Sequence, residues 1–210
     1  MRAAEPLRLM IFDRTCAGRR GLPGLSRAWL TGGLLYRGLR RLHATRGVSS
    51  WGEALEWIAS HDPSRPIASL QFWGHGKWGE ARVGDEPLNV HALKPTHRLY
   101  PGLQALRERL LPDGSSLFWF RTCETLGADP GHNFARRFSE QLNARIAGHT
   151  YIIGPWQSGL HSLAPGEVPS WSPEEGLFEG STANPKRARG SKRGEPNTIH
   201  CLQGQIPAGY

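Results

Sequence analysis

Leu117-Phe-Trp-Phe120 is apolar at every position. Side chains of a β-strand alternate between the two faces, so such a run needs cover on both sides, as a central strand of a parallel sheet has. Two other segments read as strands of the same sheet. They are Leu7-Arg-Leu-Met-Ile-Phe-Asp13 and Ile67-Ala-Ser-Leu-Gln-Phe-Trp73, the second opened by Pro66. Helical patterns lie between them. Trp51, Ala54, Leu55, Ile58 and Ala59 recur at helical spacing, and Ser50 with Glu53 forms a capping box. Leu103, Leu106 and Leu110 mark a second helix, closed by Pro112-Asp113-Gly114. Phe134, Phe138, Leu142 and Ile146 mark a third over about 133–147. Residues 25–39 carry Leu, Trp and Tyr, but Gly32, Gly33 and Gly38 weaken a helix there. Gly79 to Leu88 reads as a short hairpin and Tyr151-Ile-Ile153 as a last short strand. This alternation predicts an α/β fold, a mostly parallel sheet flanked by helices on both faces.

The chain has 210 residues, enough for one domain with a substantial core. Its formal net charge is +8, and half of that lies at the C-terminal end. There, Lys186, Arg187, Arg189, Lys192 and Arg193 face the single acid Glu195. Pro-Lys-Arg-Ala-Arg-Gly-Ser-Lys-Arg-Gly has turn formers and charge without apolar periodicity, so 181–210 reads as a basic, flexible arm trailing a domain at 1–180. Its function is either to solubilise or to dock on an acidic partner or nucleic acid. The three cysteines are far apart and odd in number, which argues against a disulfide scaffold. No apolar run is long enough to span a membrane, and the first residues do not read as a signal peptide, so the expected compartment is the cytoplasm.

In parallel α/β sheets, ligands and catalytic groups gather beyond the carboxyl ends of the strands. His75 lies two residues past Trp73, between two glycines, and Cys123 lies three past Phe120. A thiol and an imidazole at one rim are the minimum for covalent catalysis: the thiolate attacks, and the imidazole takes its proton. On this reading His75 is the general base and acid and Cys123 the nucleophile. The Gly76 and Cys123 N–H groups can hold a developing oxyanion. Read singly, such a Cys is a small buried hydrophobe and such a His a loop residue; the pair at matching strand ends carries the catalytic reading. No third orienting residue is assignable. The helix expected about ten residues after Cys123 is too distant for its dipole to assist the thiolate. Trp78 and Trp156, in loops near the rim, are candidate walls of a substrate cleft.

These residues resemble the caspase-like cysteine peptidases of clan CD, among them caspases, metacaspases, gingipain- and legumain-type enzymes and bacterial CHAT domains. In that superfamily an apolar strand ends in His-Gly and a second ends in Cys. Here the two are Leu70-Gln-Phe-Trp-Gly-His75-Gly76 and Leu117-Phe-Trp-Phe-Arg-Thr-Cys123. The two residues are 48 positions apart, close to the roughly fifty noted for caspases. Gly79-Glu-Ala-Arg-Val-Gly84 and Gly131-His-Asn-Phe-Ala-Arg-Arg-Phe138 resemble a variant of the fold found at the start of large bacterial surface proteins. The likeness covers about 7–155 and implies a caspase-like three-layer sandwich. It departs from the caspase signature around the nucleophile, which reads Arg121-Thr-Cys-Glu-Thr125 here. In the superfamily, the end of the first strand (here Asp13 and Arg14) and the position of Arg121 often line the pocket for the residue before the scissile bond. The resemblance thus implies a possible preference for acidic side chains there.

Other chemistry is poorly represented. No His-x-x-x-His or Cys-x-x-Cys pair sets up a metal site, no Gly-rich run cradles phosphate, and no serine sits in a nucleophile elbow, so neither metal nor cofactor is expected. The expected function is a cysteine-dependent hydrolase, an endopeptidase acting on a protein or peptide substrate. The rival readings are a non-catalytic protein-interaction module on the same fold and a nucleic-acid-associated protein binding through Lys186–Arg193.

Overall fold

The computed structural model describes residues 5–18 and 24–210. In chain order its elements are β1 (Leu7–Asp13), α1 (Leu25–Gly38), β2 (Ala44–Val48), α2 (Trp51–Ser60), β3 (Ile67–Trp73), β4 (His75–Lys77), β5 (Glu80–Val83) and β6 (Glu86–Asn89). There follow α3 (Tyr100–Arg109), β7 (Leu117–Arg121), α4 (Ala128–Leu142), β8 (Arg145–His149), β9 (Trp156–Gln157), β10 (Leu160–Leu163), β11 (Leu177–Gly180), β12 (Pro185–Ala188) and β13 (Ile199–His200). The main sheet has six strands in the order β10-β8-β7-β3-β1-β2. All neighbours are parallel except β10, which runs antiparallel on the edge of β8. The protein is α/β, with a mostly parallel sheet.

Strand alternation sorts the core into two faces. Leu9, Ile11, Leu70, Phe72, Phe118 and Phe120 point one way, into a cluster with Leu55 and Ile58 of α2, Leu103 and Leu106 of α3, and Phe134 and Phe138 of α4. Fully burying side chains of this size contributes about 1.5–3 kcal/mol each. Met10, Phe12 and Trp73 point the other way, onto Tyr36 of α1. Further across this second face no helix among the described residues covers the sheet. Trp119 and Ala147 are instead packed under Ile199, with Ile206 and Tyr210 half-buried beside them.

The segment expected to be a flexible arm is therefore part of the fold. Residues from 181 onward form β12 against β11 and β13 against β9, and the last ones cover the sheet. The basic side chains of Lys186, Arg187, Arg189, Lys192 and Arg193 remain exposed, but the few apolar residues downstream suffice to pin the chain.

Other boundaries move for identifiable reasons. The helix expected at 133–147 is α4, starting at Ala128 and stopped by Asn143, whose φ of 49° closes it with a left-handed cap. Ile146 shares the apolar spacing but lies on β8. The last parallel strand is β8 rather than Tyr151–Ile153; of the latter, Ile152 makes only an isolated bridge to Gly190. The glycines of 25–39 do not prevent α1; Gly33 lies against Thr45 and Met10, where a Cβ would sit 2.8 Å from the threonine hydroxyl. Among the described residues no helix is long and apolar enough to cross a membrane.

Candidate functional site at the carboxyl edge of the sheet

β3 and β7 are neighbours, and Trp73 pairs with Arg121 in their register. Each chain continues two residues further, to His75 and to Cys123, so the two overhang the same edge equally. His75 does not sit in a loop. It opens β4, the first strand of an antiparallel meander, β4-β5-β6, laid over that edge. The meander is anchored from α2: the Trp51 indole N–H donates to the Ala81 carbonyl (3.0 Å), and the Trp51 backbone N–H to the Glu86 carboxylate (2.8 Å). It is anchored again from the turn after β7, where the Gly79 N–H donates to the Thr125 carbonyl (3.0 Å).

Gly76 is where the two halves touch. A Cβ there would lie 2.2 Å from Thr125 Oγ1 and 2.7 Å from the Cys123 carbonyl oxygen. Only a residue without a side chain lets β4 cross the Cys123 turn this closely. The turn is itself knotted by hydroxyls, Thr122 Oγ1 and Thr125 Oγ1 lying 2.6 Å apart. Glu124 occupies the left-handed region (φ 44°). The Cys123 N–H has no acceptor among the described residues, whereas the Glu124 N–H is taken by the Tyr151 carbonyl (2.9 Å).

The imidazole's thiol partner is not Cys123. His75 Nε2 lies 3.0 Å from Cys16 Sγ, while Cys123 Sγ has a distant contact, 4.0 Å, with the Ile153 carbonyl. Cys16 is placed by the turn that ends β1. Asp13, fully buried, accepts from the Thr15 N–H (2.7 Å), the Thr15 hydroxyl (2.7 Å) and the Gly84 N–H (3.0 Å). The Ser26 N–H holds the Cys16 carbonyl (3.3 Å). On its other side the exposed His75 ring meets Trp29 of α1 edge to face, centroids 5.7 Å apart.

Both thiols are biased toward the protonated form. Burial pushes Cys123 up, and the neighbouring Glu124 charge adds to it. Partial burial pushes Cys16 up, reinforced by the charge and hydrogen bond of Asp13, whose Oδ2 is 3.9 Å from the sulfur. Burial also raises the Glu124 carboxyl against the opposing effect of Lys77, and its Oε2 is without a partner. A thiolate at this edge thus has to be made by proton transfer to the imidazole, since its surroundings do not supply one. α4 starts five residues after Cys123, closer than the expected ten.

The expected specificity residues are placed otherwise. Arg121 does not reach a substrate: it is 2% exposed, sandwiched between Trp73 and Trp119 with its guanidinium carbon 4.6 and 4.5 Å from the ring centres. Its nitrogens donate to Gln157 Oε1 (2.8 and 3.2 Å), the Tyr36 hydroxyl (2.9 Å) and the Cys201 and Gln203 carbonyls (2.8 and 2.9 Å). The residue faces the second sheet face and ties down the C-terminal segment. Burial lowers its pKa. Asp13 is a turn clamp, and Arg14 reaches Glu53 (3.2 Å) and the Ser49 hydroxyl (3.3 Å). With Asp13 and Arg121 buried and committed, the acidic-side-chain pocket is not formed by these residues.

Trp78 is half-buried under Lys77, whose Nζ is 5.5 Å from the ring centre, and Gly127 packs against it. Trp156 belongs to the C-terminal layer, on β9, its ring against His200 and beneath Arg193. Sequence reasoning missed Cys16 and Trp29. A signal for Cys16 existed: it follows the end of β1 by three residues, just as Cys123 follows the end of β7 by two. Among the described residues no group of three or more His, Cys, Asp or Glu is arranged to hold a metal ion. Comparison with known protein families and with curated proteins found no match in either.

Proposed function

We propose that this protein is a cysteine-dependent hydrolase of the caspase-like kind, an endopeptidase in which His75 serves a thiol at the carboxyl edge of the sheet. The observation that supports this is the equal overhang of His75 and Cys123 from adjacent parallel strands, with Gly76 pressed onto the Cys123 turn. Cys123 Sγ attacks the scissile carbonyl carbon as His75 takes its proton. The oxyanion lies at the Gly76 and Cys123 N–H groups, the second of which has no other acceptor among the described residues. The protonated imidazole gives its proton to the leaving amine, and water hydrolyses the thioester with the same ring as base. The Cys16 contact makes the observed arrangement a resting one, because the ring must leave Cys16 before it serves Cys123.

The 3.0 Å Cys16–His75 contact favours a second reading, in which Cys16 is the nucleophile. The two are separated by treating the full chain with peptidyl acyloxymethyl ketones of varied sequence and locating the adduct by mass spectrometry, alongside turnover of unfolded protein substrates. An adduct on Cys123, with turnover abolished in Cys123→Ala, supports the first reading; an adduct on Cys16, with turnover abolished in Cys16→Ala, supports the second. No adduct and no turnover sinks both and leaves a non-catalytic interaction module.

A further inference from the structure

The sheet face beyond α1 is only partly closed by the C-terminal segment. A cavity of 910 Å³ lies between residues 203–210 and the sheet surface formed by β1, β3, β7 and β8. Leu117 and Arg145, which open β7 and β8, mark its floor, so it lies toward the end of the sheet opposite to His75 and Cys123. Its size falls within the roughly 300–1,000 Å³ of small-molecule sites.

Its lining is cationic. Arg8, Arg40, Arg41 and Arg145 contribute to it, and among the described residues no carboxylate side chain does. Arg8 is paired with Glu5 (2.6 Å), and Arg41 donates to the Leu202 carbonyl (2.9 Å). Arg145 donates to the Ser162 hydroxyl (3.1 Å), which in turn donates to the main-chain oxygen of Tyr210 (2.8 Å), and neither Arg145 nor Arg40 forms a salt bridge with an acidic side chain among the described residues. The floor carries donors where a covered sheet face is ordinarily apolar. Gln71, 5% exposed, gives its carbonyl oxygen to the Trp73 indole (3.0 Å), leaving its NH₂ group as donor. Trp119, 1% exposed, has an indole N–H with no acceptor. A buried donor left unpaired is costly, and this one lies sealed behind the cavity wall.

We infer that this cavity binds a phosphorylated small molecule with at least two negative charges, its oxygens held by Arg40 and Arg145. Arg40 and Arg145 are exposed and lack acid partners among the described residues, which suits a multiply charged anion, and a phosphate ester offers several acceptor oxygens per charge to Arg and Gln donors together. The site is independent of the hydrolase reading.

The test is isothermal titration of the full chain with ADP and with pyrophosphate, at about 0.15 M salt so that long-range attraction is screened. Expected is one saturable site, weakened at least about tenfold in Arg40→Gln/Arg145→Gln. It should be unchanged in Arg136→Gln/Arg137→Gln, which removes the same charge from α4. Tighter ADP binding assigns a nucleotide, and equal binding assigns the phosphates alone. Loss of affinity of equal size in both double variants, or binding that never saturates, overturns the site as mere polyanion attraction. In the unaltered chain, the indole N–H resonance missing from Trp119→Phe must shift with the same saturation curve. A resonance that stays put while ligand binds also overturns it.

Discussion

Cys16 Sγ and His75 Nε2 lie 3.0 Å apart, although 59 positions separate them in the chain. The contact follows from β1 and β3 being neighbours, so that the turns beyond their ends converge. It gives one imidazole two candidate thiols, one touching it and one past the end of β7, the other neighbour of β3.

The roles of the two thiols are separable by rate. If Cys123 is the nucleophile proposed above, Cys123→Ala lowers turnover by about 10³-fold or more, since a nucleophile has no substitute. Cys16→Ala is expected to leave turnover unchanged or raise it, because it frees the ring. Initial rates of peptide hydrolysis check this; the reverse pattern moves the nucleophile to Cys16.

Gly76→Ala drives a methyl group into the Thr125 hydroxyl and the Cys123 carbonyl. Backbone has to shift, at a cost of about 1–3 kcal/mol, and the shift falls on His75 and Cys123 themselves. Urea denaturation should show the loss, and turnover should vanish even where the variant is fully folded. A variant as active as the parent means that β4 does not press on the Cys123 turn.

Arg121→Met keeps the bulk between Trp73 and Trp119 but strands Gln157 Oε1 and leaves the Cys201 and Gln203 carbonyls to share the Tyr36 hydroxyl alone. The expected loss is about 1–3 kcal/mol. Limited proteolysis should then cut first within 199–210. Unchanged protease resistance there would show that Arg121 is not what holds this segment.

His149 is fully buried, and burial, with Arg121 nearby, lowers its pKa to about 3. Its Nδ1 lies 3.1 Å from the Ser158 carbonyl oxygen, which can only accept, so Nδ1 carries the proton of the neutral ring. In the unfolded chain the ring protonates near pH 6.5. Stability from the neutral ring is therefore complete above about pH 6.5 and lost as pH falls toward 3, by roughly 2 kcal/mol at pH 5. Denaturant midpoints at pH 7 and 5 should differ less in His149→Asn than in the parent; an equal difference removes His149 from the acid response.

The three central strands, the Ser50-capped helix and the strand-end positions of His75 and Cys123 were legible because local rules fix them: alternation, capping and apolar periodicity. Ser50 Oγ does accept the Glu53 N–H (3.1 Å), although the Glu53 carboxylate returns to Ser49 rather than to Ser50. What was not legible depends on which segments meet. Arg121 has the same residue type whether it faces a substrate or a pair of tryptophans, and only the packing of Tyr36 and Gln203 against it decides. Cys16 becomes relevant only once β1 is known to lie beside β3. The basic run at 186–193 hid the fold of the tail because its charges dominate the local pattern, while the residues that pin the segment, Ile199, Ile206 and Tyr210, are few and widely spaced.

Because the sheet face beyond α1 is roofed by residues 199–210 instead of by a helix, a chain emerging from the ribosome reaches that roof only after every strand of the main sheet. Until then Trp119 and the Arg121 guanidinium face solvent, and the strand leading to Cys123 is covered on one side alone. The edge that carries the thiols consequently acquires its final rigidity only after synthesis has passed Gln203, long after the strands themselves have emerged.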